Sequence, residues 1–173
     1  MKINNIALIG MPGAGKSTLG VVLAKILGYE FLDSDLLIQK EEKRRLYQII
    51  DEEGAEGFKA IENRVNASIE TESTVIATGG SVVYCSEAME HLKSIGKVVY
   101  LRLSLETLEK RLGHLKQRGV LLKEGQTLKS LYEERVPLYE KYADIVVDEE
   151  GKDLEASLQT LLETRQTGVN KQS

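Results

Sequence analysis

Short, almost wholly apolar runs alternate along this chain with longer stretches in which apolar residues recur every three or four positions. Residues 5–10 (NIALIG) are nearly all apolar and end in glycine, which suits a strand covered on both faces, as in a parallel sheet. After Lys16, the residues Leu19, Val22, Leu23, Ile26 and Leu27 form one apolar helix face that Gly28 closes. Residues 29–32 predict a second strand running into Asp33-Ser34-Asp35, and residues 36–72 are helical and polar, with breaks at Gly54 and Gly57. A third strand at 74–77, a helix at 86–95 and a fourth strand at 97–103 follow. Then come a helix near 105–112, a glycine-punctuated basic stretch to Gly125, and a helix from Thr127 to about Tyr142. Residues 144–147 give the last strand and 154–164 the last helix, with a polar, frayed tail after Gln166.

Strands alternating with helices predict an α/β fold, a parallel sheet covered on both faces. At 173 residues, with neither repeat nor low-complexity linker, the chain fits one domain. Two Phe and no Trp leave the core to Leu, Ile, Val and Ala. The formal charge of -4 argues against nucleic acid or an anionic membrane as a bulk partner. No segment approaches the roughly 20 apolar residues of a membrane span, and the N-terminal run is too short for a signal peptide. Cys85 is the only cysteine, compatible with a reducing compartment, and His91 and His114 lack the clustering of a zinc site. A soluble, cytoplasmic monomer is the expectation.

The strongest chemical signal is Gly10-Met11-Pro12-Gly13-Ala14-Gly15-Lys16-Ser17, which satisfies G-x-x-x-x-G-K-[ST] between an apolar strand and an amphipathic helix. Glycines let successive N–H groups turn inward around an anion, and the helix start adds free N–H groups and the positive end of its dipole. Lys16 brings a charge to the β- and γ-phosphates of a nucleotide, and Ser17 a hydroxyl to Mg²⁺. Asp51-Glu52-Glu53-Gly54 fits the D-x-x-G of a GTPase switch, but no [NT]-K-x-D follows, so Asp51 is read as a solvated residue at a helix end. Asp33-Ser34-Asp35 falls at the carboxyl end of the second strand, where open α/β sheets bind ligands. One of its acids can hold a metal and the other accept a hydroxyl proton; the competing reading is a helix N-cap followed by a first-turn acid. Thr78-Gly79-Gly80-Ser81, after the third strand, lets a substrate approach the backbone or is a plain strand-to-helix turn.

In this order the pieces resemble the shikimate kinases, over residues 5–147. That family combines a phosphate loop, D-x-D after the second strand, F-R-x-x-E on a substrate-binding helix, a triple glycine after the third strand, an R-P-L-L lid and E-R-x-P-L-Y. The resemblance implies a P-loop NTPase fold with a five-stranded parallel sheet, a substrate-binding segment at about 34–72 and a lid at about 113–126. It implies transfer of the γ-phosphate of ATP to the 3-hydroxyl of shikimate. Carried over, Gly13, Ala14, Gly15, Lys16, Ser17 and Thr18 cradle the ATP phosphates and Arg111 lies near adenine. Ser17 and Asp33 serve the metal, Asp35 meets the substrate hydroxyl, and Arg135, in Glu134-Arg135-Val136-Pro137-Leu138-Tyr139, meets the substrate carboxylate. Without the resemblance, Arg135 would be an ordinary charge on a helix surface.

Three motifs depart from the family's pattern. Phe58-Lys59-Ala60-Ile61-Glu62 puts lysine where the family grips the carboxylate with arginine, keeping the charge but losing the planar fork. Gly79-Gly80-Ser81 adds a side chain to the triple glycine, and the lid reads Arg118-Gly119-Val120-Leu121-Leu122, longer by one and without proline. Arg118 is expected to reach the phosphates, and Gly119 to loosen the lid. The machinery of transfer is thus intact while acceptor recognition is altered. The acceptor is shikimate or another small hydroxy acid or amino acid, such as gluconate or homoserine. A nucleotide-binding regulatory protein that has lost catalysis is the alternative of a different class.

Overall fold

The computed structural model describes residues 4–112 and 125–169. Five strands, β1 (Asn5–Ile9), β2 (Glu30–Asp33), β3 (Thr74–Ala77), β4 (Gly96–Arg102) and β5 (Ile145–Asp148), form one sheet in the order β2-β3-β1-β4-β5. Every pairing is parallel, with Ala7 level with Ile76 on one side and Val98 on the other. All five residues of β1 are buried, as its unbroken apolar run requires for the central strand of a sheet flanked by helices.

The helices are α1 (Lys16–Leu27), α2 (Ser34–Glu42), α3 (Leu46–Ala67), α4 (Ser86–Ile95), α5 (Leu105–Arg111), α6 (Leu128–Tyr142) and α7 (Leu154–Val169). Gly28 ends α1 in the left-handed conformation, its N–H on the carbonyls of the last turn. Thr127 caps α6 by accepting from the Ser130 N–H, and the helix carries Pro137 without ending there. No helix among the described residues is long and apolar enough to cross a membrane.

Of the two expected helix breaks, one is present and one is corrected. Gly54 does interrupt α3, with φ 70° and ψ -177°, a conformation that L side chains rarely adopt. Gly57 does not: it sits within the second arm of the helix, with the Glu53 Cβ 2.6 Å from where its own would lie. The last helix runs to Val169, longer than the 154–164 expected of it.

The main core lies on both sides of β1 and β4 and gathers Leu8, Ile9, Leu23, Ile76, Met89, Leu92 and Leu101. A separate, smaller core joins α2 to α3 through Ile38, Ile49, Phe58 and Val65. Arg44 adds a surface clasp between these helices, pairing with Glu42 at 2.9 Å, Glu52 at 2.6 Å and Glu53 at 3.0 Å. Such exposed pairs count for little beside the four buried side chains.

At the amino end of the sheet, buried Asn5 ties β1 to the start of β3 and to the end of α4. Its Nδ2 donates to Thr71 O (2.7 Å) and Ile95 O (2.9 Å), and its Oδ1 accepts from Thr74 N (3.0 Å). Asn5→Ala leaves two buried carbonyls and one N–H without this partner, so urea unfolding is expected to show a loss of about 3 kcal/mol. Because Asn5 lies at the end of the sheet remote from the phosphate loop, ATP affinity of the folded variant should be unchanged.

Candidate active site

Residues 10–15 turn from β1 into α1 at the carboxyl edge of the sheet. Gly10 passes so close to β4 that a Cβ there would lie 2.8 Å from Leu101 O, and Gly13 and Gly15 adopt φ of 83° and 88°. Gly15 precedes α1 with no side-chain cap, and the first turn holds no acid, so the helix start keeps its N–H groups and positive dipole for an external anion. Ala14 packs into the core beneath the loop. Lys16 is only 8% exposed, and its ammonium donates to Gly10 O (2.6 Å) and Met11 O (2.9 Å). Burial lowers its pKa to about 8, with Asp35 opposing the shift and Arg135 reinforcing it.

The helix-cap reading of Asp33 is observed, and it occupies only one of the two carboxylate oxygens. Oδ1 caps α2, accepting from Asp35 N (3.0 Å) and Leu36 N (3.2 Å), while Oδ2 accepts from Ser17 Oγ at 3.0 Å. Strand β2 therefore passes into α2 with no intervening loop, and this fixes Asp35 one residue into the helix, facing Lys16. Burial, then Asp33, raise the Asp35 pKa, and Lys16 pulls it back.

A cleft of about 300 Å³ opens here. Of the predicted site residues, Gly13, Gly15, Lys16, Ser17, Thr18, Asp35, Gly79, Gly80 and Arg135 line it, together with apolar Leu46, Ile50 and Phe58. The two glycines are required by proximity. A Cβ on Gly79 would lie 2.8 Å from Glu62 Oε1 and 2.9 Å from Asp35 Oδ1; one on Gly80 would lie 3.0 Å from an Arg135 guanidinium nitrogen. Arg111 reaches the phosphate loop from α5, donating to Gly13 O at 3.1 Å. Lys59 lines an adjoining cavity of about 150 Å³, which shares Phe58, Ser81 and Arg135 with the cleft. Arg118 and Gly119 lie outside the described residues.

Arg135 is not the surface charge that its helix position alone suggests. It is 5% exposed, its Nε donating to the Tyr84 hydroxyl at 3.3 Å and its guanidinium carbon 5.4 Å from the centre of that ring. One turn on, Tyr139 donates to Gly80 O at 2.6 Å and stacks on Tyr100 at 5.1 Å, holding α6 against β4 and the glycine turn.

Two residues that the sequence did not single out join the site. Glu62 is fully buried; its Oε2 accepts from Ser81 Oγ at 2.6 Å, and its Oε1 has no partner among the described residues. Burial pushes its carboxyl up to about 7, the Ser81 hydrogen bond opposing and Asp35 adding. Its position in Phe58-Lys59-Ala60-Ile61-Glu62 was the available signal. The Ser81 hydroxyl, which the altered glycine motif seemed to set beside the substrate, is committed to Glu62. Tyr84 is the second residue, and nothing in its sequence context marks it.

The comparisons with known proteins all point to one family. The shikimate kinase family model matches residues 12–166. A shikimate kinase of Francisella tularensis subsp. novicida is 42% identical over 155 residues, covering 87% of this chain and 88% of the relative. One from Persephonella marina is 37% identical over 151 residues, covering 87% and 92%. Among solved structures, shikimate kinase from Acinetobacter baumannii in complex with shikimate superposes with a TM-score of 0.87 at 34% identity, covering 99% of this chain and 97% of the other. That from Aquifex aeolicus gives 0.83 at 34% identity, over 95% and 98%.

The lowered pKa of Lys16 makes ATP binding a proton-linked event. An exposed lysine titrates near 10.5 and Lys16 near 8, so its charged form weighs against folding below about pH 8, and that penalty fades as pH rises past it. Phosphate oxygens restore the ammonium. Calorimetric titration at pH 8.5 in buffers of different ionisation enthalpy should show proton uptake on ATP binding, with affinity falling as pH rises through about 8. Binding without proton uptake would show that Lys16 is already charged before ATP arrives, against the lowered pKa.

Proposed function

The chain belongs to the shikimate kinase family, and from that premise we propose that it transfers the γ-phosphoryl group of ATP to the 3-hydroxyl of shikimate. The observation that carries this reading is one cleft lined by the phosphate loop, Asp35 and the buried Arg135 together.

In this reading the N–H groups of residues 13–18 and the ammonium of Lys16 hold the phosphates, and the charge that spreads over the transferring group meets fixed donors. Arg111, at the rim of the loop, flanks adenine. Ser17 Oγ and Asp33 Oδ2, 3.0 Å apart, form a hard oxygen pair suited to Mg²⁺, which when bound neutralises charge on the β- and γ-phosphates. Among the described residues no three metal-ligating side chains converge, so the remaining donors to such an ion would be phosphate and water oxygens.

Lys59 and Arg135 take the acceptor carboxylate, and Gly79 and Gly80 let the ring approach the backbone. The 3-hydroxyl oxygen bonds to the γ-phosphorus as the bond from that phosphorus to the β–γ bridging oxygen breaks. Asp35 accepts the hydroxyl proton, and ADP leaves. Arg118 reaches the transferring phosphoryl from the lid as water is excluded. Every group named comes from one chain, so the reading needs no second copy. It is set in the cytoplasm, where ATP is available and Cys85 stays reduced.

The test is ADP release over a panel of shikimate, homoserine and gluconate. Shikimate should be turned over and the other two should not; turnover confined to either of the others would replace the acceptor. Asp35→Asn should lower turnover with shikimate by about 100-fold or more while ATP affinity changes less than about threefold. Full activity in that variant would sink the base assignment.

A further inference from the structure

We propose that Tyr84 is a positioning residue that holds Lys59 and Arg135 as a pair and so sets the preference for an acceptor bearing a carboxylate. The proposal rests on the acceptor reading above, and it accounts for how a lysine serves at a position where a planar guanidinium is absent.

Tyr84 closes a single 3₁₀ turn, Val82–Tyr84, that carries the chain from the glycine turn into α4. The backbone there is tightly held. Val82 N donates to Gly79 O (3.3 Å), Tyr84 N to Ser81 O (3.0 Å) and Cys85 N to Val82 O (2.8 Å), while Val82 and Val83 are buried. The ring thus projects from a fixed base to line the smaller cavity, beside Lys59 and Arg135. Around it stand two cations. The Arg135 guanidinium carbon is 5.4 Å and the Lys59 ammonium 6.0 Å from its centre, both within the range of attraction to an aromatic face.

The polar edge of the ring is committed as well. The hydroxyl accepts from Arg135 Nε at 3.3 Å and donates to Glu134 Oε1, so it holds α6 at two successive residues. The next residue, Cys85, donates through Sγ to Lys59 O at 3.6 Å, which brings the same turn against α3. One rigid turn therefore registers the helix that carries Lys59 and the helix that carries Arg135.

The physical problem this solves is particular to lysine. An ammonium on a four-carbon stem is a mobile point charge, whereas a guanidinium brings a preorganised fork. Two like charges with no anion between them also repel. A ring within reach of both draws each cation towards a common centre and limits where the lysine ammonium can stand when a carboxylate arrives. A neutral group of the same shape gains nothing from that arrangement. Tyr84 should therefore act on discrimination between charged and uncharged acceptors, with little effect on phosphoryl transfer itself.

The test uses the full chain and initial rates at saturating ATP, with shikimate and with its carboxamide, in which a neutral amide replaces the carboxylate. Tyr84→Leu should raise the KM for shikimate about tenfold, within the strength of such contacts, and lower the kcat/KM preference for shikimate over the carboxamide by a similar factor. The kcat with shikimate and the KM for ATP should stay within about twofold. Tyr84→Phe, which restores the ring without the hydroxyl, should recover most of the lost preference. Should Tyr84→Leu fail to fold, Tyr84→Met is read by the same ratios. An unchanged KM for shikimate, or an equal loss with both acceptors, overturns the proposal and leaves the function standing. No turnover of shikimate by the unsubstituted protein overturns the function and this proposal together.

Discussion

A lysine ammonium removed from water must find either a counter-charge or enough oxygen to replace its hydration, and Lys16 finds the second in the carbonyls of Gly10 and Met11. That solution makes demands on everything around it. The loop must curl so that carbonyls point in at one end and N–H groups point outward at the other, which requires Gly13 and Gly15 in the left-handed region. Gly10 must lie flat against β4, which fixes the register of β1 beside it. Asp35 must be near enough to favour the ammonium, and its own burial is made tolerable by Lys16 in return. Glu62 and Arg135 act on the same centre with mixed sign: Asp35 supports the Lys16 ammonium while Arg135 works against it, and Arg135 favours the Glu62 carboxylate while Asp35 works against it.

Where a residue's role follows from its own backbone or chemistry, the chain could be read directly. The phosphate loop was legible because positive φ demands glycine, and a lysine after such a turn has few other uses. The sheet was legible because β1 and β3 are apolar on both faces. Asp33 was legible only as an alternative, cap or metal-side acid; the cap is seen, and the second oxygen turns to Ser17.

The residues missed or misjudged sit on helix faces that the pattern did mark. Arg135 shares a stripe with Leu128, Leu131 and Tyr139, all buried on α6, and Glu62 shares one with Phe58 and Val65 on α3. A charge in such a stripe points inward, but spacing alone says nothing about what it meets there. Gly57 shows the converse limit: a glycine in a helical pattern breaks the helix only if its backbone must leave helical space, and that is decided by the fold. Tyr84 belongs to a turn too short to have any period.

The small core of Ile38, Ile49, Phe58 and Val65 has a meaning for how this site can change over generations. It gives α2 and α3 cohesion of their own, separate from the side chains that hold the phosphate loop on the sheet. Lys59 is exposed and lines only the smaller cavity, so replacements at this position can accumulate with little disturbance of the nucleotide end. The acceptor half of the enzyme is in that sense an exchangeable module, and a lineage can explore new specificities there while phosphoryl transfer remains under a separate and stricter selection.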